Sequence, residues 1–364
     1  MKHRVIAVNL PQFHPFKEND EWWGKGFTEW TNVTKGKPRF KGHYQPHLPT
    51  DTGFYDLRLP QSRQMQADMA QEYGIYGFCY YHYWFNGKQL MEQPLTEILS
   101  SGKPDFPFMI CWANENWTRA WDGGVKHALI EQHYSEEDDR QHIRFLCEHY
   151  FSDPRYIRVN GKPVFIIYRS NLFPDMKRSI DVMRDEARKC GEELYLCRFE
   201  SLRFLGKKYL ADGFDAAVDF QPRFHYIASR SFYKRQWEKF RRAYYGKRYM
   251  VDLYDYKMNV DYALAHLKHD YKWYPCVTPM WDNSCRRVGQ MCLAYENNTP
   301  ELYEYWLSNT IKGAEMYSED ENFVFINAWN EWAEGNHLEP DVKWGRQYLE
   351  ATKRAIESEM DCLK

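Results

Sequence analysis

Eight short apolar runs, each followed by a segment of helical period, constrain this chain more than any other feature. They are Val5–Phe13, Ile75–Phe85, Phe106–Ala113, Pro163–Arg169, Leu194–Phe199, Ala216–Pro222, Tyr274–Trp281 and Phe323–Trp329. Most are near-continuous in apolar character, as expected of parallel strands covered on both faces. The intervening segments carry helix punctuation. Pro60 stands just inside one start and Gly74 just beyond its end. Ser135 can cap SEEDDRQHIRFLCEHY, whose Ile143, Leu146, Cys147 and Tyr150 form one stripe. A segment from Pro174 places Ile180, Met183 and Ala187 on one face and stops at Gly191. Thr299-Pro300 opens another, and the last runs from about Gly345. The fifth helix, Phe204–Leu210, is short, and the Tyr-, Arg- and Lys-rich stretch 224–272 reads as a helix plus an inserted excursion.

Eight strand–helix alternations predict an α/β fold, a (β/α)8 TIM barrel, as one domain over residues 1–364 with elaborated βα loops. A doubly wound open sheet is the alternative. The absence of a G-x-G-x-x-G after the first strand, and of a Walker loop, weakens its nucleotide-binding version.

With 49 basic and 51 acidic residues, the chain lacks the electrostatic footprint of a nucleic-acid partner. No run of 18 apolar residues predicts an integral membrane segment. Nine cysteines at irregular spacings, without C-x-x-C, read as reduced thiols. Together with an N-terminal MKHRVIAVNLPQF that lacks a signal-peptide pattern, they make the expected location cytoplasmic. No cofactor is expected and no metal is assigned, because His14, His82, His225 and His337 are dispersed along the sequence.

In such a barrel the chemistry lies at the carboxyl ends of the strands. Those ends are distinctive here: WWGKGFTEW after the first strand, CYYHYWFNG in the second, CWANENWTRAWDGG in the third, MWDNS after the seventh and INAWNEWAEGNHLEPD after the eighth. Aromatic, amide and acidic side chains concentrate there, as a sugar site requires, with flat apolar faces for C–H groups and polar groups for hydroxyls. His82, Trp84, Trp112, Asn114, Glu115, Trp117, Tyr168, Trp281, Asp282, Trp329, Asn330 and Trp332 are therefore candidate substrate-binding residues.

Glu331 and Glu334 are the candidate catalytic pair. Two carboxylates flanking a glycosidic bond are the minimum for acid/base cleavage, one ionised and one holding a proton near neutral pH. In a continuing strand, positions i and i+3 face opposite ways. If the chain turns helically after Trp329, they become neighbours, closer to the spacing of retaining than of inverting enzymes. An acid-decorated first turn of a helix is the bland alternative.

The stretches PQFHPFKENDEWWGKGFTEWTNV, YGIYGFCYYHYWFNGK, PDFPFMICWANENWTRAWDG and NAWNEWAEGNHLEPD, followed by GRQYLEAT, resemble the WbsX-like family across nearly the whole chain. That family is associated with bacterial cell-surface polysaccharide loci, O-antigen and capsule, and its members carry the label of glycosyltransferases. It is in turn similar to glycoside hydrolase family 99, the endo-α-mannosidases, chiefly around the last strand. The resemblance implies Glu331 as base and Glu334 as general acid/base, with the substrate's own 2-hydroxyl displacing the leaving group through a 1,2-anhydro sugar. It also implies Glu115, Tyr168 and His82 as substrate contacts. The expected partner is an oligo- or polysaccharide, and the oligomeric state stays open. Three functions follow: a retaining glycoside hydrolase or transglycosylase, a glycosyltransferase of surface-polysaccharide assembly, or a non-catalytic glycan-binding barrel. Against the second, no two aspartates are spaced D-x-D.

Overall fold

A computed structural model describes residues 3–118, 128–200, 206–224, 236–237, 240, 243–244 and 251–362. His225 and most of the 224–250 stretch lie outside the described residues.

All eight runs form parallel strands of one sheet: β1 (Arg4–Asn9), β2 (Gly77–Phe85), β3 (Phe108–Trp112), β4 (Lys162–Ile167), β5 (Tyr195–Glu200), β6 (Ala216–Asp219), β7 (Trp273–Tyr274 with Cys276–Val277) and β8 (Phe323–Ile326). Neighbours follow chain order, and β1 pairs with both β2 and β8. The ring closes through β7. Its first half pairs with β6 and its second with β8, with Pro275 between them. Proline lacks the N–H a ladder needs, so the strand changes partner where that donor is missing. The seventh strand is accordingly shorter than Tyr274–Trp281, and its last four residues belong to the loop.

The helices follow in register: α1 (Pro60–Glu72), α2 (Gln93–Ser101), α3 (Glu136–Leu146), α4 (Met176–Lys189), α5 (Lys207–Leu210), α6 (Tyr256–Ala265), α7 (Pro300–Gly313) and α8 (Gln347–Cys362). Ser135, Asp175 and Thr299 accept backbone N–H groups at the starts of α3, α4 and α7, satisfying donors with no helical partner. Smaller elements lie outside the ring. Val251–Asp255 pairs with Cys292–Glu296 in a separate parallel ribbon. Lys17–Trp23 and Glu29–Val33 are short helices in the β1 loop. Among the described residues no helix is long and apolar enough to cross a membrane.

The alternation of β2, buried at all nine positions, sorts the site from the wall. His82, Trp84 and Trp112 meet the His142 ring of α3, so they face outward into the sheet–helix layer. By the two-residue period Cys79, Tyr81 and Tyr83 face inward. Phe199 of β5 and Phe325 of β8 meet inside the ring, 6.2 Å apart. These rings fill the barrel interior at that level, as side chains do in closed barrels of this kind.

Candidate functional site

Beyond β8 the chain makes a short antiparallel ribbon, Asn330–Glu331 against Asn336–His337, with a single 3-10 turn, Trp332–Glu334, at its tip. Residues i and i+3 eclipse in a 3-10 turn, so Glu331 and Glu334 share one side. Gly335 ends the turn at φ +54, and a Cβ there would lie 2.9 Å from the Asp282 carbonyl oxygen. Glycine is therefore required both by conformation and by the closeness of the β7 loop. The Asp282 N–H donates to the Glu334 carbonyl at 2.7 Å, tying the two loops together.

One guanidinium organises the acids. Arg286, in the β7 loop, donates from Nη1 to Glu334 Oε1 at 2.8 Å. Its Nη2 donates to Glu331 Oε2 at 3.2 Å and its Nε to Glu29 Oε1 at 2.8 Å. Arg286 is 8% exposed, and the Glu29 and Glu331 side chains 2% and 8%. Glu334 is the more open of the pair at 22%. Burial raises the Glu331 carboxyl above the ordinary range, the Glu334 charge raises it further, and Arg286 pulls it back. Burial raises Glu334 as well, again opposed by Arg286. For Arg286 burial disfavours the charge, yet the three carboxylates outweigh it and hold the guanidinium protonated. Two coupled carboxyls with raised affinity for a proton can hold one between them near neutrality.

Tyrosines and a second ion pair surround this group. Burial, and then neighbouring charges that include Glu331, keep the Tyr81 and Tyr83 hydroxyls protonated. Tyr168, just beyond β4, senses Glu115 and Glu334 in the same way. The Glu115 carboxylate, 30% exposed, accepts from Arg169 at 2.5 Å. A narrow cleft runs from Arg286 and Glu29 past Gln12, Asn32, Trp23, Phe27, Trp117 and Thr118.

The candidate residues divide three ways. Trp117 lines this cleft, Glu331 and Glu334 join it through Arg286, and Tyr168 and Glu115 form a group near Glu334. A second group holds the frame. Asn114 joins Tyr134 and Arg169. Asn330 grips both the N–H and the carbonyl of Leu10. Trp329 and Trp332 donate their indole N–H to buried Glu339, which also accepts from Tyr55 and Gln66. His82, Trp84 and Trp112 belong here too, because strand alternation turns them onto α3 rather than into the mouth. His82 bonds His142, Trp84 bonds Asp138, and Trp112 donates to the Trp84 carbonyl. The third group, Trp281 with Asp282, lines a separate cavity between the β1, β7 and β8 loops, and Asp282 accepts from His43 at 2.6 Å.

Arg286, Glu29, Tyr81 and Tyr83 escape a reading of the sequence. Period-two alternation groups the two tyrosines with Cys79 on one face of β2, but the sequence does not say which face turns inward. Glu29 stands within WWGKGFTEW. Arg286 lies in CRR with no periodic signal. Among the described residues, metal-ligating side chains gather at one place, His47, His337 and Asp341, against the Trp332 ring.

A sequence model described as glycosyltransferase WbsX matches residues 5–352. The chain belongs to the WbsX family. Protein WxcX of Xanthomonas campestris pv. campestris strain B100 is 40% identical to it over 354 residues, 97% of this chain and 49% of that protein. This WbsX-family chain thus spans about half the length of the curated relatives it matches. Among solved structures, the glycoside hydrolase family 99 endo-α-mannosidase from Bacteroides thetaiotaomicron aligns with a TM-score of 0.58 at 15% identity, covering 99% of this chain and 98% of that one. A glycoside hydrolase-like protein aligns with a TM-score of 0.61 at 16% identity, over 98% and 94%. At those identities the likeness is one of fold, and it agrees with the closed barrel.

Proposed function

We propose that this WbsX-family chain is a carbohydrate-active enzyme that makes or breaks glycosidic bonds in a bacterial polysaccharide or its lipid-linked precursor, with retention at the anomeric carbon. The observation that carries the reading is the shared grip of Arg286 on Glu331 and Glu334 at the carboxyl end of the barrel. Carboxylates bonded to neighbouring nitrogens of one guanidinium are close neighbours, in keeping with the ~5–5.5 Å spacing of retaining enzymes rather than the wider gap of inverting ones.

Glu331 is the base and Glu334 the general acid/base. Burial raises the basicity of Glu331, while Arg286 keeps its anionic form accessible. In the first step Glu331 takes the proton of the substrate's 2-hydroxyl, and that oxygen attacks the anomeric carbon. The glycosidic bond breaks as Glu334 gives its proton to the leaving oxygen. Water or a second sugar, deprotonated by Glu334, then opens the 1,2-anhydro ring, and Glu331 returns its proton to the 2-oxygen. This route requires a 2-hydroxyl trans to the leaving group, as in α-mannosides, α-rhamnosides and β-glucosides. The more exposed Glu334 suits the residue that must reach an acceptor. The place of action is the cytoplasm, in O-antigen, lipopolysaccharide or capsule assembly, in keeping with eight free cysteines among the described residues.

The family's description as a glycosyltransferase favours a second reading, transfer from a nucleotide-sugar donor. Incubation with α-manno- and α-rhamno-configured oligosaccharides, with and without nucleotide sugars, separates the two. Turnover without a nucleotide supports the first reading, and turnover only with one replaces it.

A further inference from the structure

Behind the glutamate ribbon lies a cluster that the proposed chemistry does not use. His47, from the β1 loop, and His337 and Asp341, from the β8 loop, are 5%, 1% and 1% exposed. His47 Nδ1 stands 2.9 Å from His337 Nε2, and His337 Nε2 stands 3.8 Å from Asp341 Oδ2. One donor atom from each of the three residues lies within 4.8 Å of the others. We infer that His47, His337 and Asp341 form a structural site for a zinc-type divalent cation, clamping the β1 loop to the ribbon that carries Glu331 and Glu334.

Four observations support this beyond the proximity of the three residues. First, Asp341 Oδ2 is buried and has no hydrogen-bond partner, although Oδ1 accepts the Trp344 N–H at 2.6 Å. A buried carboxylate oxygen without a donor is costly, and it points at the imidazoles. The Lys343 ammonium lies instead over the Tyr44 and Trp344 rings. A hydrogen bond between the histidines could satisfy those two residues but would not reach Oδ2, and the Tyr44 hydroxyl, which also approaches the Asp341 carboxylate, is the donor that an ion would have to displace.

Second, His337 Nδ1 lies 2.9 Å from the Glu339 carbonyl oxygen. That oxygen can only accept, so Nδ1 carries the proton and the Nε2 lone pair faces the cluster. An imidazole whose far N–H is held by a backbone carbonyl is the usual support of a metal ligand. Third, donors about 3.3 Å apart surround a tetrahedral zinc with Zn–N of about 2.0–2.1 Å. Two of the three separations, 2.9 and 3.8 Å, bracket that spacing, and the third lies within 4.8 Å, so the donors would close on an ion by modest side-chain shifts. Two imidazoles and a carboxylate favour zinc over magnesium or calcium. Fourth, His47 lines a cavity of about 340 Å³ with Tyr44, Lys343 and Trp344, which supplies an entry path and room for a water or the Tyr44 hydroxyl as fourth ligand.

Such an ion would act on the site by position. The His337 ring stacks on Trp332 at 3.7 Å and 14°, and Trp332 lies between the two glutamates in sequence. The test uses the whole chain, purified with zinc chloride supplied and then desalted. Elemental analysis should find about one zinc per chain, against less than about 0.1 in His47→Gln and Asp341→Asn. A chelator should lower the melting temperature by about 5 °C or more, and one equivalent of zinc, but not magnesium, should restore it. Cobalt should give the visible absorption of a tetrahedral ion. Less than about 0.1 zinc per wild-type chain, with no thermal response to added zinc, overturns the inference. So does zinc retained equally by both variants, which marks it as adventitious.

Discussion

Arg286→Met isolates what the shared guanidinium contributes. Methionine keeps an unbranched chain in the same space and removes the one charge that bonds Glu29, Glu331 and Glu334 together. Removing one partner of a buried charge pair costs about 3–5 kcal/mol, because the other charge stays buried without compensation. A 364-residue chain has an unfolding entropy of roughly 0.8 kcal/mol per kelvin, so the melting temperature should fall by about 4–6 °C at pH 8. The pH dependence is the sharper test. The folded-state pKa values of Glu331 and Glu334 lie above the unfolded values. The stability tied to their protonated forms is therefore present below the unfolded pKa and is lost as pH rises through the raised folded values. Arg286 opposes that rise, so its removal widens the window. The deficit should be large at pH 8 and at most about half as large at pH 5, and Arg286→Lys should recover part of it. Scanning calorimetry at the two pH values reads this directly. An unchanged melting temperature, or one lowered equally at both pH values, would show that the arginine does not couple these carboxylates.

Two further outcomes follow from the frame. Glu339→Gln puts an NH2 group where a carboxylate oxygen accepts two donors. The indole N–H of Trp329 or Trp332 then loses its acceptor at about 1–3 kcal/mol, and thermal unfolding should move down by a few degrees. Gly335→Ala forces a left-handed φ on alanine and drives its Cβ against the Asp282 backbone. It should cost about 1–3 kcal/mol and lower turnover by displacing Glu334, whereas unaltered kinetics and melting would mean that the turn is not rigid.

The barrel is legible in the sequence because parallel strands covered on both faces leave continuous apolar runs, and because Ser135, Thr299, Pro60 and Gly191 mark helix ends independently of packing. The glutamate pair is legible because two acids beside a strand end are scarce and closely spaced. What surrounds the pair is less so. His82 and Trp84 look as suited to a sugar as Tyr81 and Tyr83. Only the register of β2 against its neighbours decides that the tyrosines face the acids and the other two face α3. Arg286 and Glu29 are 257 residues apart, and His47 and His337 are 290 apart. No local pattern carries such pairings, because closure of the barrel creates them.

The most direct measurement is the fate of an α-manno- or α-rhamno-configured oligosaccharide, followed by proton NMR with wild type, Glu331→Gln and Glu334→Gln. The account predicts a first product of retained anomeric configuration, and rates lowered by about 10³-fold or more in each variant. Turnover at the wild-type rate in both variants, or a product of inverted configuration, would contradict it.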